Sequence, residues 1–223
     1  AVGSVKDLLF DGPSWQIRYF DIDTGHWLPG RRVILSSEAV LSTDYGTRRI
    51  STSLSKEQVE KSPLLEEHLP VTRQKQNELA KYYAWSPYYA YSEALRNVSM
   101  TEGDPNLRSI RSVTGYQIQA QNGEIGYISD LIVDDHACQS VPWEIRYLVI
   151  DTRNWLPGKY VLIPPKWAGD IDWDTQHVLL DVTREKIENS PEYDPTAPIN
   201  RQYEEVFYDY YGRPKYWLES SAV

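Results

Sequence analysis

The sequence predicts a mainly β protein with helical extensions, built as two tandem copies of one unit. The segment WQIRYFDIDTGHWLPG, beginning at Trp15, returns at Trp143 as WEIRYLVIDTRNWLPG, an offset of 128. Alternating apolar and polar residues flank turn-forming dipeptides, the period of a strand with one buried face. Each copy then switches to helix signals after its last strand.

The repeat is the strongest of these signals, and self-similarity comes before any motif. At offset 128, Val33 falls on Val161, Asp44 on Asp172, Thr47 on Thr175 and Glu57 on Glu185. Ser62-Pro63 falls on Ser190-Pro191, Arg73-Gln74 on Arg201-Gln202, and Tyr82-Tyr83 on Tyr210-Tyr211. A gapless match over roughly 75 positions marks a duplicated domain, with a period too long for a solenoid. Upstream the offset becomes 123, with VGSVKDLLFD from Val2 matching IGYISDLIVD from Ile125. The second copy therefore carries a longer loop, DHACQSVP against GPS, and length differences fall in loops. The boundaries that follow are 1–89 for the first repeat, 90–106 for a linker and 107–223 for the second repeat.

The clearest strand signal is GYQIQAQNGEIGYISDLIVD, a hairpin turning at Asn122-Gly123. EIRYLVID is a further strand, Asn154 to Gly158 a turn, and KYVLIPP a strand ended by prolines that cannot donate to a ladder. Asp172 to Thr175 reads as a turn and HVLLDV as a strand. The first copy repeats this series, with weaker patterning at RISTSL. Ser55-Lys56-Glu57-Gln58 has the form of a capping box, and Thr183 takes the same cap position in the second copy. Both short helices stop before Ser-Pro, because proline disfavours helix at the residue before it. Longer helices are expected at Arg73 to Tyr83 and Arg201 to Tyr211, the second capped by Gly212. Glu102-Gly103-Asp104-Pro105 is a turn or linker signal.

The second copy begins with LRSIRSVTGYQIQAQNGEIG before Ile125, whereas only Ala1 precedes Val2 in the first. The first copy thus lacks its opening hairpin strand. The expectation is a native chain with about 16 further residues before Ala1 forming that strand. An uncompleted sheet edge invites pairing with another chain.

The net charge of −9 argues against direct nucleic-acid binding, since it repels phosphate backbones. Arg31-Arg32, Arg48-Arg49 and Arg108 to Arg111 are too short for a nucleic-acid arm. A lone cysteine, Cys138, cannot form an intrachain disulfide, which fits a reducing, cytoplasmic location. No apolar run approaches the roughly 18 residues of a membrane span.

No Gly-x-Ser-x-Gly elbow, P-loop or dinucleotide glycine run is present. His136 and Cys138 make one metal-ligand pair, but a structural zinc site needs four ligands. Asp170, Asp172 and Asp174 alternate as calcium ligands might be spaced, yet Thr175 and Asp181 stand where an EF-hand loop needs Gly and Glu. A polar hairpin turn is the simpler reading, so no catalytic, cofactor or metal residue is assigned. Asp23 and Asp151, each followed by Thr, and Trp27 and Trp155 are paired turn residues with an expected structural role. The candidate interaction surface is aromatic: Tyr82, Tyr83, Trp85 and Tyr88 in the first copy, Tyr210, Tyr211, Tyr216 and Trp217 in the second. Such side chains give large contact area at low entropy cost. The alternative is that they pack on their own units.

Gly115, Asn122-Gly123-Glu124-Ile125-Gly126 and Asp130 to Asp134 resemble the opening of a PRC-barrel domain. Arg146 to Asp151, Leu162-Ile163-Pro164, and Val178 to Glu185 followed by Ser190-Pro191 resemble its later strands and terminal helix. The resemblance covers about Leu107 to Tyr193 and, in the first copy, Val2 to Leu65. That family includes the cytoplasmic domain of the photosynthetic reaction-centre H subunit and the C-terminal domain of the ribosome maturation factor RimM. The resemblance implies two small, partly open β-barrels, here expected to be related by pseudo-two-fold symmetry. It also implies docking onto other macromolecules, with no shared catalytic residues. A protein partner or self-association is therefore expected. The alternatives are a peripheral component of a membrane complex, by analogy with the H subunit, and an enzyme or small-ligand binder with a site between the repeats.

Overall fold

The structure is a computed structural model describing residues 1–29, 31–66, 70–87, 99–135, 143–153 and 158–219. It is mainly β, with 38% strand and 24% helix. The chain divides into two compact units, Ala1–Ser112 with Val133–Ile145, and Val113–Ile132 with Arg146–Val223.

In the first unit, β1 (Ser4–Asp11) and β2 (Gln16–Asp23) form an antiparallel hairpin, and β3 (Val33–Ser36) pairs with the far edge of β2. β4 (Val40–Asp44) and β5 (Arg49–Thr52) form a separate two-stranded sheet. α1 (Lys56–Glu60) starts at the predicted capping box, with Ser55 and Gln58 each satisfying the other's backbone N–H. α2 (Arg73–Tyr83) is capped by Thr72 and ends on Ala84 in the left-handed region, φ 59°. β6 (Leu107–Ser109) pairs with β1 at Leu9–Asp11. Leu9, Tyr19 and Ile34 pack with Leu65, Val71 and Leu79, so that α2 closes one face of the sheet. Each such side chain contributes about 1.5–3 kcal/mol on burial. The expected linker contains an anchor: Asp104, fully buried, accepts from Arg73 Nε at 2.7 Å and from Gln76 Nε2 at 3.0 Å.

The second unit carries β7 (Gln117–Ala120), β8 (Gly123–Asp134) up to Ile132, β9 (Glu144–Asp151) from Arg146, β10 (Tyr160–Ile163), β11 (Ala168–Asp172) and β12 (His177–Leu180). Pairing runs β11-β12-β7-β8-β9-β10. No pairing among the described residues closes this run into a barrel. The Asn122-Gly123 turn is present, with Gly123 at φ 138°. Gly126 has φ 152°, and a Cβ there would lie 2.1 Å from the Asp151 carbonyl oxygen. The same approach recurs at Gly3, 2.1 Å from the Asp23 carbonyl, so both copies need glycine where this strand crosses its neighbour.

α3 (Arg184–Glu188) is capped by Thr183, and α4 (Arg201–Tyr211) runs from the Asn200 cap to Gly212 at φ 65°. α5 (Tyr216–Glu219) follows. Phe207 stacks on Trp167 at 5.3 Å, and Tyr208 and Tyr211 pack on the same indole. No helix of the described residues is long and apolar enough to cross a membrane.

A candidate docking groove in the first unit

The aromatic side chains singled out from the sequence mostly pack within their own units. Tyr82 is 42% exposed, and its hydroxyl donates to the Gln58 carbonyl at 2.9 Å. Tyr210, its repeat counterpart, donates to the Lys186 carbonyl at 2.8 Å. Tyr83 packs against the core under α2, and Trp85 stacks on it at 4.2 Å. Tyr211 is buried. Tyr216 donates to Glu204 at 3.0 Å, and Trp217 packs edge-on against Tyr208 with the Arg201 guanidinium 4.0 Å from its ring. Tyr88 lies outside the described residues.

The paired turn residues shape their turns. Asp23 accepts from Gly25 N at 2.8 Å, and Trp27 donates from Nε1 to the Val2 carbonyl at 2.8 Å. Asp151 is buried and bonded to Arg153 and Tyr127. The Arg153 guanidinium holds its carboxyl below the usual range, with the Tyr127 hydroxyl adding to this. Trp155, His136 and Cys138 lie outside the described residues. Asp172 accepts from the backbone of Asp174 and Thr175 at 3.0 and 2.9 Å, a turn role that Asp44 repeats with Thr47. Among the described residues, no three His, Cys, Asp or Glu gather to hold a metal ion.

On the first unit a groove of 1390 Å³ opens between β1 and β5. Phe20, Ile22, Leu35, Leu54 and Trp143 line it, and Trp143 packs edge-on against Phe20 at 5.0 Å. Its rim is polar, with Arg48, Arg49 and Lys56 near Asp44 and Asp135. Thr43 donates to Asp135 at 2.7 Å. The Thr47 hydroxyl and backbone amide hold the Asp44 carboxyl below its ordinary range, so the rim keeps both signs of charge at neutral pH.

The repeat shows what is unusual about this groove. Val5 is 46% exposed, whereas its counterpart Ile128 is 0% exposed. Ile50 is 39% exposed, whereas its counterpart Val178 is 1% exposed. β1 is exposed at Ser4–Lys6 and buried at Leu9–Asp11, whereas the β8 residues matching Ser4–Lys6 bury Ile128 and half-bury Tyr127 and Ser129. In the second unit these positions face β7. In the first, no described strand pairs with the outer edge of β5, and Ser4 and Val5 of β1 pair on one side only, with β2. The sequence reading missed Val5 and Ile50 as site residues. The signal was present: both are apolar, and both match strand positions of the second copy that neighbour β7.

An apolar floor with a charged rim binds by burying apolar surface, with polar groups fixing orientation. No protein-family model and no curated protein matches the chain.

Proposed function

We propose that this chain is a non-catalytic protein-interaction and assembly module of the PRC-barrel type, acting in the cytoplasm, and that its first unit docks a polypeptide in the groove between β1 and β5. One observation carries the reading: Val5 and Ile50 are half-exposed at positions where the second copy buries Ile128 and Val178. Two copies of one domain under the same folding constraints bury these side chains in one case and hold them open in the other. Apolar groups left on a groove wall, next to unpaired strand edges, mark an interaction site.

The two repeats then divide their work. The second copy covers these positions with β7, while the described residues of the first leave Val5 and Ile50 half-exposed. The tyrosine-rich helices serve the packing of each unit, leaving the groove as the surface for a partner.

Affinity capture tests the proposal, using three baits: the native chain, Val5→Asp with Ile50→Asp, and Tyr82→Ser. The aspartates fall on solvent-accessible side chains, so the fold should tolerate them, which circular dichroism checks. The expected result is a stoichiometric protein held by the native chain and by Tyr82→Ser but lost from the double aspartate bait. Equal capture by all three folded baits would place the binding surface elsewhere and overturn the groove reading.

A further inference from the structure

We infer that the second unit houses a redox-active tyrosine: an electron hole made on Trp167 or Trp217 by a small one-electron oxidant passes to Tyr147, whose phenolic proton moves to the Glu204 carboxylate. The inference stands apart from the groove and involves no partner polypeptide.

Tyr147 lies on β9, 1% exposed, and its hydroxyl donates to Glu204 Oε1 at 2.7 Å. Burial and the neighbouring carboxylate keep the proton on the phenol at rest, well above the usual tyrosine range. Oxidation reverses that preference. A phenol that has lost an electron is a strong acid, and a bare cation in a buried site is costly. An acceptor oxygen 2.7 Å away lets the proton leave with the electron, so the ring stays neutral.

The balance closes within the unit. The Tyr147 O–H bond breaks, one electron refills the indole, and the proton binds Glu204 Oε1. The products are a neutral tyrosyl radical, a carboxylic acid and the restored indole, while the oxidant leaves as its reduced anion. Where the indole has first released its own N–H proton to water, water returns one. A reductant that supplies one electron draws the proton back to the phenol.

Aromatic rings connect the indoles to this phenol. Trp217, partly exposed, packs edge-on against Tyr208 at 5.3 Å, and Tyr208 against Phe207 at 5.4 Å. Trp167, also partly exposed, stacks on Phe207 at 5.3 Å, and Phe207 meets Tyr147 at 5.9 Å. Each step is a direct ring contact, the shortest path an electron can take between side chains. Tyr216 shares the carboxylate, donating to Glu204 Oε1 at 3.0 Å. The Arg146 guanidinium lies 4.0 Å from the Tyr216 ring, and its charge disfavours a hole there. Arg201, 4.0 Å from the Trp217 ring, drives a hole off that indole in the same way.

The repeat shows that the fold does not demand this arrangement. At matching positions the first copy carries Gln76 for Glu204, Ala39 for Trp167, Leu79 for Phe207 and Ala80 for Tyr208, and buries all four. Tyr19, in the place of Tyr147, donates to Gln76, a neutral amide far too weak a base to take the proton. The carboxylate and the rings leading to it therefore occur together in one copy and are replaced together in the other.

The test is pulse radiolysis of the full 223-residue chain in azide solution, where azidyl radicals oxidise accessible tryptophan, followed by electron paramagnetic resonance of freeze-quenched samples. Three variants accompany it, their folding checked by circular dichroism: Tyr147→Phe, Glu204→Gln, and Trp167→Phe with Trp217→Phe. In the native chain, indolyl radicals should give way to a tyrosyl radical that outlasts those on exposed tyrosines, at a rate independent of chain concentration. Tyr147→Phe should remove this long-lived signal, and the variant without the two indoles should not form it. Glu204→Gln copies the first repeat and should slow its formation about a hundredfold, the contribution of a positioned proton acceptor. A long-lived tyrosyl signal unchanged in Tyr147→Phe would place the radical elsewhere and overturn the inference. Formation at the native rate in Glu204→Gln would remove the proton transfer, and formation at the native rate without the two indoles would remove the ring route; either overturns it. A rate that scales with chain concentration would make the transfer intermolecular and overturn it as well.

Discussion

Tyr147 donates a 2.7 Å hydrogen bond to Glu204, joining the core strand β9 to helix α4 at two buried side chains. The first copy makes the same link with a neutral acceptor, Tyr19 to Gln76 Oε1 at 3.2 Å, each residue lying 128 positions earlier. The duplication has therefore kept a strand-to-helix latch while changing its charge. Glu204 also accepts from Tyr216 and pairs with Arg201 at 2.9 Å, contacts that carry the carboxylate in its buried site. Glu204→Gln keeps the acceptor and should cost less than about 1 kcal/mol, because the Arg201 partner is half exposed. Glu204→Ala leaves the tyrosine hydroxyl unpaired and should cost about 1–3 kcal/mol. Urea unfolding of the two variants separates the cases. Equal losses would mean that the latch contributes through charge rather than hydrogen bonding.

Arg73 and Asp104 are both buried, with Asp104 also accepting from Asn106 N at 3.0 Å. Removing one partner strands the other charge. Asp104→Ala is expected to cost about 3–5 kcal/mol. The pair of changes Arg73→Met with Asp104→Leu should recover most of that loss, since an apolar pair needs no compensation. A double variant as unstable as Asp104→Ala would show that Arg73 has further obligatory partners.

Burial pushes the hydroxyls of Tyr208 and Tyr211 up to about 12, and those of Tyr147 and Tyr203 are also raised. Below pH 10 the folded and unfolded chains hold these protons alike, and the contribution to stability is fully present. From about pH 10 the unfolded chain releases protons that the folded unit retains, so stability falls as pH rises toward 12. A spectrophotometric titration at alkaline pH should show a late-ionising group of tyrosines whose ionisation coincides with loss of near-UV circular dichroism. A single step near pH 10 with the dichroism intact would contradict this.

The two long helices end differently on the same backbone. Gly212 and Ala84 occupy matching positions at φ 65° and 59°, and a Cβ at Gly212 would meet nothing within 4 Å. The difference is therefore backbone strain alone. Ala84→Gly should stabilise by about 1 kcal/mol and Gly212→Ala should destabilise by a similar amount. Thermal melts of both variants check it, and shifts of the same sign would be inconsistent with a shared cap geometry.

Much of the secondary structure was legible because it rests on local chemistry. The Asn122-Gly123 turn, the Ser55 and Thr183 caps and the Gly212 stop act within a few residues, and each stands where the sequence places it. The assignment of 133–145 to the first unit was not legible, because it follows from tertiary packing that no local pattern encodes. The aromatic residues showed a different limit. Periodicity marks which side chains leave water, but not whether they leave it on their own core or on a partner. Tyr82 and Tyr210 settle on carbonyls of their own short helices. The groove sits between these cases. The match of Val5 to Ile128 and of Ile50 to Val178 was readable from the repeat, while the exposure of Val5 and Ile50 required the folded strands around them.

The central claim is that the first unit leaves open, among the described residues, apolar positions that the second unit covers. Hydrogen exchange in the isolated chain tests it most directly, comparing amides of β5, Arg49–Thr52, with those of β12, His177–Leu180. The account predicts fast exchange in β5 and slow exchange in β12. Equal protection of β5 and β12 in the chain alone would contradict it, because the edge of β5 would then already be paired.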